Sequence, residues 1–285
     1  TGSQEFADKP MREAFTGSNI YDEDIYDTDS IHRDGRAGTR ESNLKTNLNN
    51  GVTVEFWLKK SGSLAAVSAD NVADHEAFTE KEVIFDLWNG VTCEAADNSD
   101  DTDNDNYGRL RIELNGDITG SSPFQITMLS GAIDGAPNGF QDEPIGDFED
   151  SDDVPPYNGK WNHYAFVLQN SSSVVSTGVT VKFYVNGELN QTKTAGKTCG
   201  EITGSLIANI GALRTAPSGS TGPDIGYGKL SGSIDEFRFW KVARTSEEIG
   251  RNWWHQVRGG TNTDLANTTL GVYYKFNEGI TNADS

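Results

Sequence analysis

Two runs of alternating side chains, each ending at an Asn-Gly pair, constrain this chain more than any other feature. Val179, Val181, Phe183 and Val185 alternate with Thr180, Lys182 and Tyr184, and the run stops at Asn186-Gly187 before Leu189. Leu110, Ile112 and Leu114 alternate with Arg109, Arg111 and Glu113, and that run stops at Asn115-Gly116. A period of two places one set of side chains on each face of a strand, and Asn-Gly suits the positive φ angles of a two-residue hairpin turn. Both segments read as hairpins of an antiparallel sheet.

The same period marks Val52, Val54, Phe56 and Leu58 against Thr53, Glu55, Trp57 and Lys59, and Leu270, Val272, Tyr274 and Phe276 against Gly271, Tyr273 and Lys275. Short apolar runs over 83–88, 161–168, 206–210 and 237–240, bounded by Gly, Asn or Asp, read as strands of a sandwich core. One helix is predicted near the C-terminus, where Thr245 and Glu248 stand at capping-box spacing ahead of Ile249, Trp253 and Trp254. Many short strands with one helix predict an all-β, antiparallel two-sheet sandwich. Residues 1–50 are polar and turn-rich and read as an N-terminal arm or lead-in, with the sandwich over 51–285. Acidic loop insertions are expected near 93–107 and 133–156, their carboxylates concentrated in Asp97–Asp105 and Asp142–Asp153.

Charge removes several functions. Forty-three acidic against 23 basic residues give a formal charge of −20 over 285 residues, a field that repels nucleic-acid phosphates and anionic membranes. No apolar run approaches the roughly 18 residues of a spanning helix, so membrane insertion is not expected. Calcium, cationic surfaces and neutral glycans remain as partners. Cys93 and Cys199 are too far apart for a metal clip and read either as one long-range disulfide or as two inert thiols.

Four stretches carry a family resemblance: Val52-Thr-Val-Glu-Phe-Trp-Leu58, Gly159-Lys-Trp-Asn-His-Tyr-Ala-Phe-Val167, Val181-Lys-Phe-Tyr-Val-Asn-Gly187 and Gly232-Ser-Ile-Asp-Glu-Phe-Arg-Phe-Trp240. With Ala243–Ile249 and Tyr273–Gly279 they follow the order found in laminin G-like modules, so the chain resembles the concanavalin A-like jelly roll over about residues 50–280. The resemblance implies a binding or structural module of a larger extracellular, cell-surface or virion protein, only sometimes attached to an enzyme. The acidic loops and the Tyr/Asp-rich arm are similar to laminin G-like segments of large structural proteins of marine tailed phages. It implies that the chain is a piece of a longer polypeptide, with glycans, neighbouring structural proteins or further copies of itself as partners, and it adds a structural calcium ion in some relatives.

Glucanases on this sandwich carry Glu-x-Asp-x-Glu on one strand, so that a nucleophile and an acid bracket the scissile bond. Here the corresponding run is Ser233-Ile-Asp235-Glu236, which lacks the first carboxylate. His75-Glu76 has no second histidine at zincin spacing, no Gly-x-Ser-x-Gly elbow occurs, and Gly196-Lys197-Thr198 lacks the leading glycine of a phosphate loop. The chain therefore reads first as non-enzymatic. A glycoside hydrolase drawing acids from different strands, such as Glu55, Asp86 or Glu113, is the second reading, and a purely architectural segment the third.

Asp101, Asp103 and Asp105 alternate as at the opening of an EF-hand loop and are candidate calcium ligands, although Asn106 and Ile112 occupy the glycine and glutamate positions of that loop. Asp235 shares strand parity with Phe237 and Phe239, so it is expected to point inward, where backbone hydrogen bonds or calcium would compensate it. Glu236 and Arg238 are expected to pair on the opposite face. Trp88, Tyr107 and Tyr157, with Trp253 and Trp254, are candidate stacking surfaces for sugar rings. His163 reads as a packed sheet residue.

Overall fold

The computed structural model describes residues 42–61, 82–90, 107–114, 122–133, 136–148, 156, 158–172, 177–213, 228–257 and 269–276. These form β1 (Val52–Ser61), β2 (Glu82–Trp88), β3 (Gly108–Leu114), β4 (Phe124–Ile133), β5 (Ala136–Ile145), β6 (Asn158–Asn170), β7 (Val179–Val185), β8 (Glu188–Ala195), β9 (Ile207–Ile210), β10 (Ser233–Trp240), helix α1 (Ser246–Asn252) and β11 (Leu270–Tyr274). A six-stranded sheet has the order β11-β10-β1-β6-β7-β8, and a five-stranded sheet the order β5-β4-β3-β2-β9. Neighbouring strands in both sheets are antiparallel. Among the described residues, the expected all-β sandwich with one short helix is what folds.

One core lies between the sheets because one parity of nearly every strand is apolar. Val52, Val54, Phe56 and Leu58 of β1 meet Tyr164, Phe166 and Leu168 of β6 and Val181 and Phe183 of β7. From the other sheet come Phe85 and Leu87, Leu110, Ile112 and Leu114, and Phe124, Ile126 and Met128. Aromatic rings join the layers: Phe124 lies 5.0 Å from Tyr164, 5.3 Å from Phe166 and 5.2 Å from Phe183, and Phe85 lies 5.2 Å from Phe237. Such tilted and edge-on pairs add to the burial of their surface.

The second hairpin forms as its sequence predicts. Val185 pairs with Glu188, and Asn186 (φ +49) and Gly187 (φ +84) both take the positive φ of a type I′ turn. Any β-carbon at Gly187 would stand 2.2 Å from Trp253 Cδ1, so the turn also needs glycine for this close approach. The first hairpin differs. Leu114 pairs with Phe124, so residues 115–123 intervene, and Asn115-Gly116 is not a two-residue connection between these strands.

Strand β5 was not expected. It occupies part of the acidic insertion predicted at 133–156, where Pro137, Gly139, Asp142 and Pro144 hide the period of two. As an edge strand it tolerates these residues, and its pairing with β4 is irregular in two places. Residues 42–50 pack on the sandwich: Leu48 is fully buried in the core, and Ile202 N–H donates to the Thr46 carbonyl at 2.9 Å. Cys199 is a buried free thiol whose pKa burial pushes up to about 12. Cys93 lies outside the described residues.

Helix α1 covers the outer face of the six-stranded sheet. Thr245 Oγ1 accepts from Glu248 N–H at 3.2 Å while Glu248 accepts from Thr245 N–H at 2.7 Å, the reciprocal capping box read from the sequence. Ile249 seats this helix on Ala165, Val167 and Tyr184. Phe124→Ala should remove the ring that touches three partners in the facing sheet and cost about 3–5 kcal/mol, read as a lower midpoint in denaturant with an unchanged slope.

Candidate functional site

The register of β1 against β10 creates the site. Glu55 pairs with Arg238, but Trp57 pairs with Asp235, so β10 carries one extra residue over this stretch. Glu236, at φ +49, is the residue that makes the bulge. The bulge resets parity: Ile234 and Phe237 pack on the core, while Asp235, Glu236 and Arg238 line the outer face. This corrects the inward orientation expected for Asp235. Its Oδ1 accepts the Glu236 N–H at 2.8 Å. Glu236 and Arg238 pair as expected, with Arg238 Nη2 3.1 Å from Glu236 Oε2.

Below the bulge lies a buried ionic cluster. Glu55 is fully buried, and its carboxylate accepts from Arg244 Nη1 at 2.5 Å and from Arg238 Nη1 at 3.4 Å. Arg244 stacks its guanidinium on Trp240 at 4.3 Å, and Arg238 also donates to the His255 carbonyl. The Tyr273 hydroxyl donates to Glu236, and burial and this carboxylate together push the phenol up to about 12. Desolvation would raise the Glu55 pKa, but contact with His163 and the charges of Arg244 and Arg238 outweigh it and hold the carboxyl at about 2. The arginines are within hydrogen-bonding distance. His163 Nε2, at 3.6 Å from Glu55 Oε2, is too far for a hydrogen bond, and neither ring nitrogen of His163 has a hydrogen-bond partner among the described residues. Burial, helped by the two guanidinium charges, pushes the His163 pKa down against the pull of Glu55, so the imidazole is held neutral.

Above this cluster opens a groove of about 360 Å³ lined by Trp57, Trp161, Asp235, Glu236, Arg238, Trp254, His255 and Gln256. Trp57 stands on β1 opposite Asp235 and packs against Trp253, with ring centroids 5.4 Å apart. Trp253 follows α1 and rests on the Gly187 turn. Trp161 of β6 and Trp254 are 41% and 61% exposed, an uncommon amount for so large an apolar surface, and they form open walls. Three indoles therefore meet polar groups in one concave place, which is how small-ligand sites are built.

The residues singled out from sequence separate. Tyr107 is buried and presents no face to a ligand, and Trp88 stands on the five-stranded sheet, away from the groove. Tyr157, Asp101, Asp103 and Asp105 lie outside the described residues. Among the described residues no three His, Cys, Asp or Glu side chains are grouped to hold a metal ion. Of the acids proposed for catalysis, Glu55 lies under α1, whereas Asp86 and Glu113 belong to the other sheet, across the core. Asp86 is fully buried and held by two 2.7 Å bonds from Arg109, and Glu113 pairs with Arg111 at 2.9 Å. Sequence reasoning missed Trp57 and Trp161. The usable signal was parity, since a tryptophan alternating with Phe56 and Leu58 must sit on the face turned away from the core.

Residues 34–250 match the Laminin_G_3 family model, described as the concanavalin A-like lectin/glucanases superfamily. No curated protein matches the chain. Solved structures similar to it include a native heptameric SAP-like pentraxin from Limulus polyphemus, at 12% identity and TM-score 0.40 over 76% of each chain. A botulinum neurotoxin serotype G binding domain is 10% identical at TM-score 0.38, over 75% of this chain and 39% of that one. A putative carbohydrate binding protein from Bacteroides ovatus is 15% identical at TM-score 0.35, over 80% of this chain and 52% of that one.

The ionic cluster sets an acid response. Both pKa values are depressed by folding, so both groups stabilise the fold above their unfolded pKa and lose that contribution as pH falls. Unfolding free energy should decline below pH 6.5, where the unfolded chain protonates His163 and the native chain does not, and again from pH 4.5 towards 2 through Glu55. Each group contributes a slope of up to about 1.4 kcal/mol per pH unit. Denaturant titrations across this range check it, and His163→Phe should lose the upper part of the decline.

Proposed function

The chain belongs to the concanavalin A-like lectin/glucanases superfamily, and from that premise we propose that it is a non-enzymatic binding module whose tryptophan groove receives a saccharide. The observation that carries the reading is the joint exposure of Trp161 and Trp254 beside Trp57 on the outer face of the six-stranded sheet. The C–H face of a sugar ring packs on an indole, while Asp235, His255 and Gln256 supply hydrogen bonds to hydroxyls at the rim. A virion or cell-surface setting, with neighbouring proteins or further copies as additional partners, belongs to the same proposal and is supported by the family resemblance.

The non-enzymatic part rests on the state of the acids. Glycoside hydrolysis needs two carboxyl groups on opposite sides of the scissile bond. Asp235 and Glu236 are adjacent on one strand, and Glu236 is already engaged by Arg238 and Tyr273. Glu55, Asp86 and Glu113 are buried in arginine pairs. One acid in the groove is left to act, which supports binding over bond cleavage.

Quenching of tryptophan fluorescence by a panel of oligosaccharides tests the reading. Trp161→Ala and Trp254→Ala should each weaken the tightest ligand by about tenfold while leaving the melting temperature close to that of the parent. Incubation with laminarin should release no new reducing ends, and turnover abolished by Asp235→Asn or Glu236→Gln would overturn the non-enzymatic assignment. The calcium proposal for Asp101, Asp103 and Asp105 is checked separately. Occupancy should raise the melting temperature in millimolar calcium relative to chelator, and identical melts would remove it.

A further inference from the structure

The charges around the groove do not balance, and the imbalance sits where a ligand would. Three carboxylates, Glu55, Glu236 and Asp235, face two guanidinium groups, Arg238 and Arg244, and the His255 imidazole lines the groove with its ring centroid 3.5 Å from that of Trp254. Glu55 is neutralised by both arginines and Glu236 by Arg238 and the Tyr273 hydroxyl. Asp235 has no ion pair among the described residues, and its one hydrogen bond is the Glu236 N–H on Oδ1. Lys59 pairs with Trp161 in the strand register and Lys160 precedes Trp161 in the chain, but neither lines the groove.

One uncompensated carboxylate among three indoles is a cation site. The negative faces of aromatic rings attract a cation, tryptophan most strongly, and the carboxylate adds a directional partner for an N–H donor. A bare metal ion does not suit these walls, since indole carbon offers it no ligand atoms. A protonated amine carried on a sugar ring does: the ring packs on Trp161 or Trp254 and the ammonium reaches Asp235. Resting on the saccharide reading above, we infer that the groove selects an amino sugar bearing a free, protonated amine, a glucosamine-type oligomer in preference to its N-acetylated or neutral counterpart.

The test compares three oligomers of equal length at mildly acidic pH, measured by calorimetry and tryptophan quenching: glucosamine, N-acetylglucosamine and glucose. The glucosamine oligomer should bind about tenfold tighter than the other two. Asp235→Asn keeps the Oδ1 acceptor for Glu236 N–H and removes only the charge, so it should fold as the parent does and lose this preference. Because the whole chain is strongly acidic, a polycation can also adhere non-specifically. Glucosamine binding that persists in Asp235→Asn overturns the inference, as does equal binding of all three oligomers, which leaves the saccharide reading standing. Failure of all three to bind removes both.

Discussion

The buried carboxylate of Glu55 holds the groove-bearing face of this molecule together. The outer face of the six-stranded sheet combines an apolar seat for α1 with buried charges, and the segment that covers it must match those charges. Glu55 from β1 takes Arg238 from β10 and Arg244 from the approach to α1, so two strands and the covering segment converge on one group. Removing either partner would leave a charge stranded away from water, a loss of about 3–5 kcal/mol where such pairs have been broken, although an apolar replacement of the whole set need not be worse. The cluster therefore specifies which segment lies over the sheet more than it adds to total stability.

On this foundation the bulge at Glu236 does the work of orientation. A strand without it would alternate strictly, and Asp235 would face the phenylalanines. One extra residue, held in a left-handed conformation that costs a non-glycine residue about 1–3 kcal/mol, turns two consecutive acidic side chains towards the same face. Bulges recur beside functional sites because they re-aim side chains in this way. The strain is offset locally by the Arg238 and Tyr273 contacts of Glu236.

Much of the fold was legible because parity and turn chemistry agree with it. Val179–Val185 with Asn186-Gly187, the alternation of β1 and the Thr245–Glu248 capping box all specify local structure that tertiary contacts then keep. Strand β5 was illegible because edge strands tolerate proline, glycine and acids, the residues that otherwise signal loops. The site was legible only in pieces. Trp253 and Trp254 stand out as aromatics beside the capping box, but Trp57 and Trp161 read as ordinary sheet residues, and strand parity turns Asp235 inward because a bulge leaves no mark in a single sequence. Tyr107 shows the converse, an aromatic beside an acidic stretch that the core absorbs.

Helix α1 is seven residues long, far below what persists alone in water, so its cap and Ile249 are stable only once β6 and β7 present Ala165, Val167 and Tyr184. Those strands pair with β1, and β1 reaches across the chain to β10, with Thr53 opposite Trp240. Such distant pairings are slow to find. The Trp254 wall of the groove, which follows α1, therefore rests on contacts between strands far apart in the chain, and the groove exists only where those contacts are made.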